Sequence, residues 1–135
     1  MTPVLVDSNV LLDVATSDPT WGEWSSGSLE RLANEALLVL NPLVYAEISI
    51  GFETIEDLDE ALPVDLFRRE SLPWEAAFLA GKAFLAYRRR SGTRRSPLPD
   101  FYIGAHAAIQ GYRLLTRDAS RYRTCFPSVE VIAPA

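Results

Sequence analysis

Val4-Leu5-Val6-Asp7-Ser8-Asn9 is the stretch that decides the architecture. Three apolar residues follow Pro3 and give way at once to three residue types that cap helices. They read as a short buried strand feeding directly into a helix over residues 9–15. Arg113-Leu114-Leu115-Thr116 reads as another such strand, with Asp118 two residues beyond it at the start of a short helix over Ala119–Cys125. Between them, Leu37–Leu40 reads as a second buried strand. Asn41-Pro42 then fits the N-cap and first-turn preferences of a helix running to about Phe52.

The remaining segments alternate in the same way. A helix is expected over Trp21–Glu35. A short acidic helix follows over residues 55–62, with Thr54 and Asp57 at the capping-box spacing, and Pro63 stops it. Val64–Phe67 has the composition of a short strand. A long helix begins at Pro73 and ends before Gly92. Gly92–Pro99 reads as a basic, proline-rich loop, Asp100–Gln110 as a helix closed by Gly111, and Val129–Ile132 as a last strand. Strands alternating with helices predict a single α/β domain over residues 1–135, with a parallel sheet covered on both faces. In such sheets the functional site lies beyond the carboxyl ends of the strands.

Composition narrows the function classes. The 135 residues are 48% hydrophobic, enough for a real core, and Cys125 is the only cysteine, so neither an internal disulfide nor a thiolate metal site is expected. No apolar run approaches the ~20 residues of a membrane helix. Met1-Thr2-Pro3 does not open a signal peptide. A cytoplasmic protein with no membrane association is the expectation.

The formal net charge of −5 is unevenly spread. Residues 1–67 hold 13 of the 18 acids and a single base, Arg31. The rest of the chain holds 12 bases against five acids, in clusters such as Arg88-Arg89-Arg90 and Arg94-Arg95. Eleven of those bases are arginine, the side chain suited to paired contacts with phosphate. Such asymmetry suits a polyanionic partner, although the Arg88–Arg90 run equally suits the C-terminal end of a helix.

Four acids fall where the strand-end rule directs attention. Asp7 and Asp118 follow strands, and each also fits a helix N-cap. Glu47 has Leu43, Val44, Ile50 and Gly51 at helical spacing and no base in reach, so its burial is costly unless something neutralises it. Asp100 has Ile103, Gly104, Ala107 and Ala108 on its face, and its first-turn position also suits the helix dipole. Four carboxylates converging at one sheet edge repel one another unless a cation intervenes. Mg2+ or Mn2+, hard ions that prefer oxygen ligands, fit that need. His106, the only histidine, reads as a half-buried helix residue. An acid-only metal site points to hydrolysis of phosphate esters. Trp21, Trp24 and Trp74 suit packing better than base stacking.

Val6-Asp7-Ser8-Asn9-Val10-Leu11-Leu12 resembles the first motif of PIN domains. Asn41-Pro42-Leu43-Val44-Tyr45-Ala46-Glu47-Ile48 resembles the second, Leu98–Ala107 the third, and Leu115-Thr116-Arg117-Asp118 the fourth. Order, intervals and length agree across essentially the whole chain, and a stand-alone domain this short is most similar to VapC toxins of bacterial toxin–antitoxin pairs. The resemblance implies a three-layer α/β/α sandwich with about five parallel strands and Mg2+-dependent endoribonuclease activity, with Mn2+ as an alternative ion. It implies Asp7, Glu47, Asp100 and Asp118 as catalytic metal-site acids, supported by Asn9 and Thr116. It further implies an RNA substrate, a VapB-like antitoxin and a homodimer. Arg94 and Arg95, just before Asp100, are the candidates for the RNA backbone. A haloacid-dehalogenase phosphatase would need a second aspartate where Asn9 stands. A receiver domain would need a late lysine, and the only lysine, Lys82, lies mid-helix.

Overall fold

The computed structural model describes residues 2–91 and 98–135. Five strands form one parallel sheet: β1 (Val4–Val6), β2 (Leu38–Leu40), β3 (Phe67–Arg69), β4 (Arg113–Leu115) and β5 (Val131–Ile132), in the order β3-β2-β1-β4-β5. β1, β2 and the Leu114–Leu115 pair of β4 are buried, as continuous apolar runs between two helical layers should be. Val4 pairs with both Leu38 and Arg113, which places Asp7 beyond the carboxyl end of the central strand.

Helices α1 (Ser8–Ala15) and α2 (Gly22–Glu35) pack on each other, and α1 also packs on α3 (Pro42–Ser49), which touches α4 (Ile55–Ala61). The long α5 (Trp74–Ser91) lies along α6 (Leu98–Gln110), which in turn meets the short α7 (Ser120–Cys125). Phe101 is fully buried between the rings of Phe84, Tyr87 and Phe126, joining α5, α6 and the residue after α7. α6 ends at Gly111, whose φ of +70° is the left-handed C-terminal turn that glycine adopts without strain. This is the expected α/β/α sandwich around a five-stranded parallel sheet.

Several boundaries differ from expectation. β3 starts three residues later and ends two later than the Val64–Phe67 composition suggested, because Arg68 and Arg69 occupy an edge strand, where exposed charged side chains are tolerated. α3 ends at Ser49, short of Phe52. α6 begins at Leu98, so Leu98 and Pro99 belong to the helix and not to the preceding loop, Pro99 being tolerated in a first turn. The last strand is shorter than expected, Val131–Ile132. The remainder of the basic segment, Arg94 and Arg95 included, lies outside the described residues.

Candidate active site

The sheet order places a topological switch at β1: the chain moves outward through β2 and β3, then returns to β4 on the other flank of β1. Ligand crevices open at such points, beyond the strand ends. Asp7 and Thr116 terminate the two strands that meet there. The Asp7 backbone N–H donates to the carbonyl of Leu115 at 2.9 Å, and the Thr116 hydroxyl donates to Asp7 Oδ2, also at 2.9 Å.

Asp7 is buried, at 5% exposure, and caps α1 by accepting from the backbone N–H of Ser8 at 2.8 Å. Its other oxygen accepts from Thr116 and from the hydroxyl of Tyr122 at 3.0 Å. Among the described residues all three donors are neutral. Burial raises the Asp7 pKa, opposed by those hydrogen bonds and reinforced by the negative charge of Asp100.

Glu47, half-buried on α3, accepts from the hydroxyl of Ser8 at 2.9 Å. Burial raises its pKa, and the charges of Asp7 and Asp100 raise it further. Asp100, in the first turn of α6, is likewise raised by burial and by Asp118, while Arg121 pulls it down. Arg121 Nη1 stands 2.6 Å from Asp100 Oδ2. Asp118 is exposed, and its backbone N–H donates to Thr116 Oγ1 at 3.2 Å. Asn9 donates to the same oxygen at 3.3 Å and accepts from the backbone N–H of Arg117 at 3.2 Å. The structure therefore brings Asp7, Glu47 and Asp100 within electrostatic reach of one another and Asp118 within reach of Asp100, with Thr116 tying β4 to Asp7 and Asn9 tying α1 to the turn after β4.

Among the described residues, no group of three or more carboxylate, imidazole or thiolate side chains stands together so as to hold a metal ion. The donor set nevertheless fits a hard divalent cation in kind. It is made of carboxylates alone, and its innermost member is buried without a basic partner among the described residues.

Three neighbours of the acids carry no mark in the sequence. Ser8 holds Glu47, Tyr122 holds Asp7, and Arg121 holds Asp100. The adjacent residues Arg121 and Tyr122 reach two different acids because α7 lies close against α6. A Cβ on Gly104 would stand 2.5 Å from the Phe126 ring and 3.1 Å from Tyr122, so only glycine permits that approach. A fourth element is the buried Asp13, which accepts from Ser25 and from Nε and Nη2 of Arg117 at 2.8 and 3.0 Å. This ties the loop that carries Asp118 to α1.

His106 is fully buried and not half-buried as expected. Its Nδ1 faces the Asn41 amide at 3.0 Å and its Nε2 faces Glu70 at 3.0 Å. Of the tryptophans, Trp24 packs against the core, Trp21 lies under the Arg117 guanidinium, and Trp74 is exposed on α5.

The PIN domain family model matches residues 4–127. No curated protein matches the chain. Among solved structures, VapBC2 from Rickettsia felis bound to a DNA fragment from its promoter is similar, with a TM-score of 0.76 at 15% identity over 98% of this chain and 99% of that one. VapBC-1 from nontypeable Haemophilus influenzae gives a TM-score of 0.72 at 16% identity over 97% of both chains. VapC20 from Mycobacterium tuberculosis, described as a sarcin-ricin loop cleaving toxin, gives 0.62 at 14% identity over 94% of this chain and 98% of that one. At these identities the likeness is one of fold. With the family model matching residues 4–127, most of its length, the chain belongs to the PIN domain family.

Proposed function

We propose that this chain is a divalent-metal-dependent endoribonuclease and the toxin of a toxin–antitoxin pair. PIN domains are a nuclease family, which supports the hydrolytic part. One observation carries the proposal: Asp7, a buried carboxylate among neutral donors at the switch point, shares its electrostatic field with Glu47 and Asp100. A buried carboxylate with neutral donors alone and two more acids in reach is costly to keep ionised without a cationic ligand.

Asp7, Asp100 and Asp118 would hold Mg2+ or Mn2+, with Glu47 binding directly or through water. When bound, the cation supplies positive charge to the scissile phosphate and acidifies the attacking water. The chain's own residues do the rest. Thr116 and Tyr122 fix the oxygen that Asp7 presents, and Asn9 keeps the β4–α7 turn against α1. Glu47, oriented by Ser8, would accept the proton that water loses as its oxygen joins phosphorus and the bond from phosphorus to the leaving oxygen breaks. Arg94 and Arg95 are the candidates for holding the RNA backbone, a contact that positions the strand without reading its sequence.

The proposed restraining partner is a VapB-like antitoxin. Several structural neighbours are toxin–antitoxin complexes, which supports such a partner. An apolar groove of about 440 Å³ between the first four helices, lined by Leu11, Leu29, Phe52, Leu62 and Phe67, suits an amphipathic segment. The 13 acids of residues 1–67 favour a basic one. Trp74, Phe78 and Leu85, exposed on α5, support a homodimer. No helix among the described residues is long and apolar enough to cross a membrane; the proposed setting is the cytoplasm. Incubating antitoxin-free protein with a labelled RNA pool and Mg2+ tests the nuclease. Cleavage that requires Asp7 is the expected result, and intact RNA contradicts the assignment.

A further inference from the structure

Of the four acids, Asp100 is the one that forms an ion pair among the described residues. Its partner Arg121 approaches to 2.6 Å, and both side chains are about three-quarters buried, at 24% and 23% exposure. The pair is therefore poorly screened by solvent. The backbone of α7 is fixed next door. Tyr122 is hydrogen-bonded to Asp7 and packed beside Gly104, and Phe126 closes on Gly104 and Phe101. The Arg121 guanidinium hangs on a flexible stem and can leave Asp100 while the helix stays in place.

A divalent ion shared by Asp7 and Asp100 needs Asp100 oxygen lone pairs. Arg121 now occupies one of the two oxygens, and two cations cannot sit together on one small carboxylate without mutual repulsion. We propose that Arg121 is an internal counter-cation of the acidic site, holding Asp100 in the metal-free protein and displaced from it when a divalent cation enters. The inference rests on the metal-dependent nuclease reading and adds a built-in competitor to it. The protein avoids an unbalanced acidic cluster at the expense of weaker cation uptake.

The test is calorimetric titration of the full chain with Mn2+ in the absence of RNA, comparing wild type, Arg121→Gln and Arg123→Gln. Arg123 is exposed on the same short helix, so its replacement changes net charge equally without touching Asp100. Arg121→Gln is expected to bind Mn2+ on the order of tenfold more tightly than wild type, as loss of a partly buried competing charge implies. Arg123→Gln should remain within about twofold of wild type, the scale of a screened surface charge. Thermal melting in EDTA supplies the second readout. Arg121→Gln should melt below wild type and gain more from added Mn2+, whereas Arg121→Lys, which keeps the charge, should fall between them. Unchanged or weaker Mn2+ binding by Arg121→Gln overturns the proposal, as does an equal gain in Arg123→Gln, which would reduce the effect to long-range charge. Absence of Mn2+ uptake by every variant overturns the metal-dependent reading itself.

Discussion

Tyr122 donates its hydroxyl to Asp7 at 3.0 Å, across 115 positions of sequence. This bond links the last short helix to the first strand end. It gives a buried carboxylate a donor that carries no competing charge, and the phenol's own ionisation is pushed well up by burial and by Asp7. The tyrosine therefore stays a donor at any working pH. Tyr122→Phe removes that donor and leaves the ring packing in place. Stability should fall by about 1 kcal/mol, and RNA cleavage should fall by roughly tenfold as Asp7 loses a donor that orients its carboxylate. The acid limb of the pH–rate profile should move upward. An unchanged acid limb would show that Tyr122 does not orient or ionise Asp7.

Linkage makes a second prediction. The folded-state pKa of Asp7 lies above its ordinary value of 3.8. The folded protein therefore holds this proton more tightly than the unfolded chain does. Stability from this group is fully present below the unfolded value and is lost as pH rises through the folded value. Asp7→Asn should thus melt higher than wild type near neutral pH in EDTA, by about 3–5 °C, the equivalent of about 1 kcal/mol in a chain of this size. The gap should narrow on acidification. Calorimetric scans across the acidic range check it, and a gap that widens at low pH would contradict the assignment.

Gly104→Ala tests the close approach of α7 to α6. Alanine improves helix propensity by about 1 kcal/mol, but its Cβ meets Phe126 at 2.5 Å. The overlap should dominate, for a net loss of about 1–3 kcal/mol. Activity should drop further than stability alone explains, because Tyr122 and Arg121 move with α7. Chemical denaturation and cleavage rate, measured on the same preparation, separate the two effects.

Asp13→Ala tests the brace behind Asp118. The substitution strands the Ser25 hydroxyl and leaves Arg117, whose side chain is about one-third exposed, without its paired acceptor. A loss of about 2 kcal/mol is expected, less than for a fully buried pair because water reaches the guanidinium. Full stability in a denaturant melt would show the brace to be incidental.

The parts of this architecture that were legible in the sequence are the ones encoded locally. Val4–Val6 and Leu114–Leu115 announce buried strands by composition, and Asp7 and Asp118 announce strand ends by position. Once those strands are parallel neighbours, the meeting of Asp7 with Thr116 follows. Tyr122, Arg121 and Ser8 were illegible because their roles depend on packing between distant elements. The contact of α7 with α6 depends on one missing Cβ, which looks in sequence like an ordinary helical glycine. His106 was placed too near solvent for the same reason: its partners Asn41 and Glu70 lie 65 and 36 positions away, and they make full burial tolerable. β3 was shifted because Arg68-Arg69 resembles a solvated loop until its edge position is known.

The most direct measurement is cleavage of a labelled RNA pool by antitoxin-free protein, wild type against Asp7→Asn, with Mg2+ and again with EDTA. Asp7→Asn preserves the side-chain shape, removes the charge and keeps one of the two oxygens that accept from Ser8, Thr116 and Tyr122. The expected result is endonucleolytic cleavage by wild type with Mg2+, abolished by EDTA and reduced by at least about a hundredfold in Asp7→Asn. RNA left intact by wild type with Mg2+, or cut equally by the two proteins, would contradict the account.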